Sequence, residues 1–223
     1  MAEETSKKVI AIVGGTGKEG KGLAYRWCLA GYRVIIGSRQ QEKALAAVDE
    51  LRAMLDGKGS LEGMTNAEAV AQADVAVITV PYSAHSATLE GLKDGLKGKV
   101  VVDVTVPLVP PKVTKVQMPP AGSATQEALQ VLGEGAEVAA AFQNISYENL
   151  LSGAGVQCDV LVCGTKAART LALELVEAAG LVGWDAGPIE NAVVVEGMTS
   201  ILIGLNKQYG VHAAGIKITG INR

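Results

Sequence analysis

The chain has 223 residues, of which 48% are hydrophobic and 19% charged, and its formal net charge at pH 7 is −3. This composition is typical of a globular protein with a sizeable core. A weakly acidic chain is poorly suited to nucleic acid or to an anionic membrane, so the expected partners are small molecules. No run of 18 apolar residues occurs, and the polar segment Met1–Lys8 holds no signal-peptide core. A cytoplasmic protein without a membrane span is therefore expected.

In chain order, apolar segments of strand length alternate with segments of helical periodicity. Strands are predicted at Val9–Val13, Arg33–Gly37, Leu61–Met64, Asp74–Val80, Lys99–Val104, Glu137–Phe142, Cys158–Cys163 and Gly183–Ala186. Helices are predicted at Lys18–Ala30, Ala44–Leu55, Ala67–Gln72 with Asn66 as its cap, Ser83–Leu96, Thr125–Leu132, Tyr147–Leu151, Lys166–Ala179 and Asn191–Tyr209. Continuous apolar strands between helices are typical of parallel strands buried on both faces. The predicted fold is α/β, a Rossmann-type doubly wound parallel sheet with a smaller C-terminal α/β part.

The segment from Thr105 to Gly122 contains five of the seven prolines, which predicts a loop because proline lacks a backbone donor. We place a domain boundary at its end, with a nucleotide-binding domain over residues 1–122 and a smaller domain over 123–223. Apolar side chains in the last helix spread well around its surface, so we expect it to be buried. Packing within its own domain and packing against a second subunit remain equally open at this point.

A glycine-rich turn follows the first strand. Gly15-x-Gly17-x-x-Gly20 comes directly after that strand and opens the first helix. In such a motif the first glycine permits the tight turn, the second lets a pyrophosphate approach the backbone, and the third lets helix and strand pack closely. The N–H groups at the helix start favour an anion. The turn therefore predicts a dinucleotide site.

The residues after the second strand indicate which dinucleotide is bound. NAD sites usually carry an acidic residue there to accept a hydrogen bond from the ribose hydroxyl. This chain has Ser38 and Arg39 instead, with Lys43 one helical turn later. A hydroxyl and two cations suit the 2′-phosphate of NADP(H), and two cations at a helix start are unfavourable without an anionic ligand. NADP(H) is the predicted cofactor.

Few side chains suited to acid–base chemistry are found. The two histidines, His85 and His212, are far apart in sequence, and no metal-ligand spacing is present. We interpret His85 as a surface histidine of its helix, and the three cysteines as reduced, buried thiols. Hydride transfer between two redox cofactors needs no proton relay and suits this inventory.

Several motifs resemble those of the F420-dependent NADP oxidoreductases, and together they cover nearly the whole chain. They are Ile12–Ala24, Gly37–Arg39 with Glu42 and Lys43, Thr79–Tyr82, Pro107–Pro110, Ala186–Pro188, Val195–Thr199 and Gly215–Thr219. The resemblance implies direct hydride transfer between nicotinamide C4 and the deazaflavin C5 of coenzyme F420. It also implies a C-terminal part that completes the deazaflavin cleft, and a homodimer.

The resemblance assigns positions as well. It places Gly15, Thr16, Gly17, Lys18 and Glu19 at the pyrophosphate turn, Ser38, Arg39 and Lys43 at the 2′-phosphate, and Val80, Pro81, Val109 and Tyr147 near the nicotinamide. The deazaflavin is expected over Pro107–Pro110, Gln143–Ile145 and the last helix. No residue is assigned a catalytic role beyond positioning the two cofactors.

One position departs from the family pattern. Where the family usually has Ala-Leu-His or Ala-Phe-His, this chain has Ala141-Phe142-Gln143-Asn144. Gln143 can donate a hydrogen bond but cannot carry positive charge. Gln143 therefore keeps open the reduction of another acceptor, such as a flavin, a ferric chelate or a small carbonyl. The scarcity of acid–base side chains is also compatible with a non-catalytic NADP(H) sensor.

Overall fold

The computed structural model describes residues 7–152 and 155–221, so most of the segment Met1–Lys8 lies outside the described residues. Strands and helices alternate along the described chain, as predicted. The strands are β1 Ile10–Val13, β2 Arg33–Ser38, β3 Ser60–Thr65, β4 Val75–Ile78, β5 Val100–Asp103, β6 Glu137–Ala140, β7 Asp159–Gly164 and β8 Val182–Asp185. The helices are α1 Lys18–Leu29, α2 Gln41–Leu55, α3 Asn66–Gln72, α4 Tyr82–Leu96, α5 Ala124–Leu132, α6 Tyr147–Leu151, α7 Lys166–Ala178 and α8 Ala192–Tyr209, preceded by a 3₁₀ turn at Ile189–Asn191.

All eight strands belong to one sheet in the order β3-β2-β1-β4-β5-β6-β7-β8. The six strands β1 to β6 are parallel, with Ile12 beside Ile36 on one side and beside Val77 on the other. The Rossmann-type α/β prediction is confirmed. The expectation that every strand is parallel is wrong for the last two, because β7 runs antiparallel to β6 and β8 is parallel to β7.

Each face of the sheet carries its own layer of helices. Alternate residues of β1 show this, because Ile10 and Ile12 join a core with α1, α2, α6 and α7, whereas Ala11 and Val13 join a core with α3, α4 and α5. Trp27 of α1 is fully buried, and its indole Nε1 donates to the Leu175 carbonyl at 2.8 Å. This contact joins the helices that follow β1 and β7, so the first and last parts of the chain share one core.

The region after residue 104 is irregular up to Ser123, as the prolines predict. It packs against α8, where a side chain at Gly197 would lie 3.3 Å from Val116 and one at Gly204 would lie 3.9 Å from Thr114. Strands β6, β7 and β8 extend the same sheet as the first five. The division of the chain at residue 122 into two domains stays a prediction.

Helix α8 presents one face to the protein and another to the outside. Val195 and Leu202 are buried, whereas Val194 and Ile201 are 61% and 54% exposed. The predicted burial of α8 is therefore confirmed for one face of the helix only. Among the described residues, no helix has the length and apolar character needed to cross a membrane.

Candidate functional site

The carboxyl ends of β1 and β4 define the position of the site. From β1 the sheet extends through β2 to one edge and through β4 to the other edge. Ligands of open α/β sheets bind in the crevice where the strand order reverses in this way. The glycine turn follows β1 and Thr79–Pro81 follows β4, so both lie at this crevice.

The backbone of the glycine turn is held from two sides. The Gly15 N–H donates to the carbonyls of Ile12 at 3.1 Å and Gly37 at 3.0 Å, which ties the turn to the end of β2. The Gly14 N–H donates to Asn66 Oδ1 at 3.1 Å. The prediction that Asn66 caps α3 is wrong, because Thr65 is the cap and forms a capping box with Glu68. Asn66 instead supports the turn.

The three motif glycines meet different surroundings. A Cβ on Gly20 would lie 2.6 Å from the Gly15 Cα, and a Cβ on Gly15 would lie 2.9 Å from the Ile12 carbonyl oxygen. A Cβ on Gly17 would meet no atom within 4 Å. Gly15 and Gly20 are therefore required by the protein's own packing. Gly17 leaves open space at the start of α1, where no side chain caps the helix. Uncapped N–H groups and space for close approach fit a pyrophosphate.

The predicted 2′-phosphate residues lie together beside this turn. Ser38 ends β2 and is 6% exposed, while Arg39 and Lys43 are exposed at the start of α2. The Ser38 Oγ accepts a hydrogen bond from the Gln40 N–H at 3.3 Å. Among the described residues, neither the Arg39 guanidinium nor the Lys43 Nζ makes a hydrogen bond or an ion pair. Two cations without protein partners at a helix N-terminus fit a doubly charged phosphate.

A cleft of about 870 Å³ runs from the glycine turn to α8. Its lining includes eight of the predicted residues: Thr16, Gly17, Lys18, Glu19, Val80, Pro81, Gln143 and Tyr147. The proline-rich loop contributes Leu108 and Pro110, and α8 contributes Leu202 and Ile203. Val109 is 45% exposed and does not line the cleft, although both of its neighbours do. Its assignment to the nicotinamide stays a prediction.

Two charged residues from the first turn of α1 line the cleft. Lys18 Nζ donates to the Tyr147 hydroxyl at 3.0 Å and lies 4.6 Å from the centre of its ring. The hydrogen bond with Tyr147 raises the pKa of Lys18, which stays a cation. Burial raises the pKa of Glu19 to about 8, and its Oε1 has no hydrogen-bond partner. At neutral pH the Glu19 carboxyl is thus largely protonated and adds little repulsion against a pyrophosphate.

Arg26 connects α1 to α6 and was not identified from the sequence. Its guanidinium donates to the carbonyls of Leu150 at 2.6 Å and Asn149 at 2.7 Å. A side chain at Gly22 would lie 2.8 Å from Leu150, so the two helices approach closely. This contact places Tyr147 over the glycine turn. No sequence pattern indicates it, because the two segments are more than 120 residues apart.

His85 is fully buried, so its interpretation as a surface histidine is wrong. Its Nε2 lies 2.7 Å from Asp103 Oδ2, and its Nδ1 lies 3.8 Å from Glu127 Oε1. The hydroxyl of Tyr82 donates to Glu127 Oε2 at 2.9 Å. Glu196 is also fully buried and accepts from the N–H groups at the start of α5. We refer to His85, Asp103, Glu127, Glu196 and Tyr82 as the His85 cluster.

Gln143 and Asn144 line the cleft and are oriented by their amide nitrogens. Gln143 Nε2 donates to the Asp103 carbonyl at 2.7 Å, and Asn144 Nδ2 donates to the Val195 carbonyl at 2.9 Å. Their amide oxygens, Oε1 and Oδ1, have no hydrogen-bond partner. Each of these two amide oxygens is therefore a buried acceptor that receives no hydrogen bond from the described residues.

The Rossmann-type fold, the glycine turn and the basic side chains after β2 are those expected of an NADP-dependent oxidoreductase. Residues 9–107 match the family described as coenzyme F420-dependent NADP oxidoreductases. The chain is 42% identical over 220 residues to the F420-dependent NADP reductase of Methanothermobacter marburgensis, covering 95% of this chain and 98% of the relative. It is 37% identical over 221 residues to that of Methanocaldococcus jannaschii, with coverage of 95% and 98%. The chain belongs to the F420-dependent NADP reductase family.

A solved structure supports the fold independently. A crystal structure of a protein from Arthrobacter sp. FB24 superimposes with a TM-score of 0.80, at 22% sequence identity, over 96% of this chain and all of that chain. Almost the whole chain therefore follows a fold found in a known structure.

Proposed function

We propose that this protein transfers a hydride between NADP(H) and coenzyme F420. The observation that carries the proposal is the continuous cleft from the glycine turn to α8, which has room for the ends of two ligands and is lined by side chains from both parts of the chain. The identity of 42% to an F420-dependent NADP reductase along almost the full length supports the choice of F420.

In the direction of F420 reduction, the C4–H bond of NADPH breaks with both electrons and a C–H bond forms at deazaflavin C5. A proton from solvent at a ring nitrogen completes the reduced product. The protein's part is to hold the two rings at reacting distance and to exclude water. We propose that the residues of the glycine turn hold the pyrophosphate, and that Ser38, Arg39 and Lys43 hold the 2′-phosphate.

Turnover with NADPH and oxidised F420, followed at the deazaflavin absorbance band, tests the proposed function. We expect bleaching of that band, slower turnover with NADH, and little turnover with a flavin or a ferric chelate as acceptor. Tight NADPH binding without F420 reduction would contradict the proposal. Reduction of another acceptor alone would favour a different reductase, and no reduction of any acceptor would favour a sensor.

We propose further that the protein is a homodimer that uses the outer face of α8. Val194, Ile201 and Leu205 lie at helical spacing on this face and are 61%, 54% and 38% exposed. Contiguous exposed apolar side chains of this kind mark interaction sites.

Ile201→Asp is expected to convert the dimer to a monomer, because a carboxylate in an apolar interface lacks a compensating partner. Light scattering coupled to size exclusion measures the mass directly. Leu45→Asp is the matched control, since Leu45 is 46% exposed on α2, away from α8, and we expect the dimer to persist in this variant. A wild-type protein that is monomeric at every concentration would contradict the proposed dimer.

A further inference from the structure

The His85 cluster lies directly behind the cleft wall, and its members come from four elements. His85 and Tyr82 belong to α4, Asp103 to β5, Glu127 to α5 and Glu196 to α8. Together they place three carboxyl groups and a tyrosine around one imidazole. A protonated His85 supplies the positive charge that offsets these carboxylates.

Asp103 connects the cluster to the cleft by two hydrogen bonds. Its Oδ1 accepts from the Thr105 N–H at 3.0 Å, and its backbone carbonyl accepts from Gln143 Nε2 at 2.7 Å. Thr105 and Gln143 both line the cleft. Asp103 therefore fixes the two chain segments that leave β5 and β6 where they line the cleft.

The protonation state of His85 sets the charge beside Asp103, because Nδ1, which has no hydrogen-bond partner, can lose its proton while Nε2–H still donates to Asp103. Burial lowers the pKa of His85, but the charge and hydrogen bond of Asp103, together with Glu127 and Glu196, outweigh it and raise the pKa above 6.5. Burial and the charge of Asp103 raise the pKa of Glu196 to about 7. As the pH rises through these two raised pKa values, Glu196 gains a negative charge and His85 loses its positive charge. Both changes leave Asp103 in a more negative surrounding.

We propose that His85 is a positioning residue for the second substrate: the imidazolium holds Asp103 in place, and Asp103 holds Thr105 and Gln143 in the arrangement that binds the deazaflavin. This inference rests on the proposed function for the identity of that substrate. Loss of the Nδ1 proton removes the positive charge that offsets Asp103, Glu127 and Glu196, and the repulsion among these carboxylates then loosens both segments, so F420 binds less tightly in alkaline solution. NADPH is affected less than F420, because the glycine turn and Arg39 lie outside the cluster and only the contact of Thr105 Oγ1 with the Val80 carbonyl, at 3.5 Å, reaches the predicted nicotinamide end.

The test is the dissociation constant of oxidised F420, measured by its fluorescence anisotropy from about pH 6 to about pH 9. In wild-type protein we expect the dissociation constant of F420 to rise about tenfold over this pH range. For His85→Asn we expect binding about tenfold weaker than wild type at the acidic end and equal to wild type at the alkaline end. Titration of F420 itself cancels in the ratio of the two proteins at each pH. A purely structural role of His85 would give a ratio that does not change with pH.

Two further variants test whether the pH dependence of F420 binding comes from the pair His85 and Asp103. Asp103→Asn keeps the shape of the side chain and the oxygen that accepts from the Thr105 N–H. We expect this variant to lose the pH dependence of F420 binding. His212→Asn changes the other histidine, which lines the cleft whereas His85 is buried, and we expect the pH dependence to remain in this variant. A pH-independent ratio for His85→Asn, or loss of the pH dependence in His212→Asn, would overturn the inference while F420 turnover still supported the proposed function. Failure of F420 to bind at any pH would overturn both.

Discussion

Gly17→Ala is expected to leave the protein folded but to weaken NADPH binding at least about tenfold. Gly17 has an ordinary φ of −73°, and a Cβ there meets no protein atom within 4 Å. Replacing glycine at a helix N-cap by alanine costs no more than about 1 kcal/mol of stability. The methyl group would occupy the space that we assign to the pyrophosphate. Calorimetric titration with NADPH and a thermal unfolding curve of the same sample measure the two effects separately.

Gly20→Ala is the matched control. Unlike Gly17→Ala, this variant is expected to lose stability. Its Cβ would lie 2.6 Å from the Gly15 Cα, which is backbone and cannot move aside without distorting the turn. We expect a loss of about 1–3 kcal/mol in the free energy of unfolding. For a chain of this size each kcal/mol lowers the melting temperature by about 2–4 °C. Unchanged NADPH affinity in Gly17→Ala would show that the pyrophosphate does not pass over this glycine.

Arg39→Ala is expected to weaken NADPH binding by about 1–3 kcal/mol while NADH binding changes little. Arg39 is exposed at the start of α2, and the 2′-phosphate that distinguishes NADPH is the group we assign to it. The measurement is the pair of dissociation constants for NADPH and NADH in wild type and variant.

Lys58→Ala is a control for the loss of one positive charge. Lys58 follows the opposite end of α2, about 20 Å away at the rise of an α-helix. We expect the dissociation constants of NADPH and NADH for Lys58→Ala to equal those for wild type. An equal loss of NADPH and NADH affinity in Arg39→Ala would contradict the assignment of Arg39 to the 2′-phosphate.

Local patterns predicted most of the fold. The apolar residues that recur at helical spacing in α2 are Ala44, Ala47, Val48, Leu51, Met54 and Leu55, and all of them are buried except Met54, which is 47% exposed. The direction of β7 could not be predicted in this way. A continuous apolar strand has the same composition whether it runs parallel or antiparallel to its neighbour, and only the path of the chain between β6 and β7 decides its direction.

Local motifs also predicted the nucleotide end of the site, because a strand, a glycine turn and a helix are contiguous in sequence. The other end depends on contacts between distant segments. His85 pairs with Asp103, and Arg26 holds α6, through approaches that no spacing in the sequence indicates. The surface interpretation of His85 failed because its burial depends on how α4 packs against β5 and α5.

Isotope transfer tests direct hydride transfer most closely. NADPH that carries deuterium at both C4 positions is mixed with oxidised F420 and the protein in ordinary water, and the reduced F420 is analysed by mass spectrometry and proton NMR. Direct transfer between the two rings predicts one deuterium at C5 of the product. Reduced F420 without deuterium at C5 would mean that the hydrogen came from solvent, and would contradict a cleft that holds the two rings in contact.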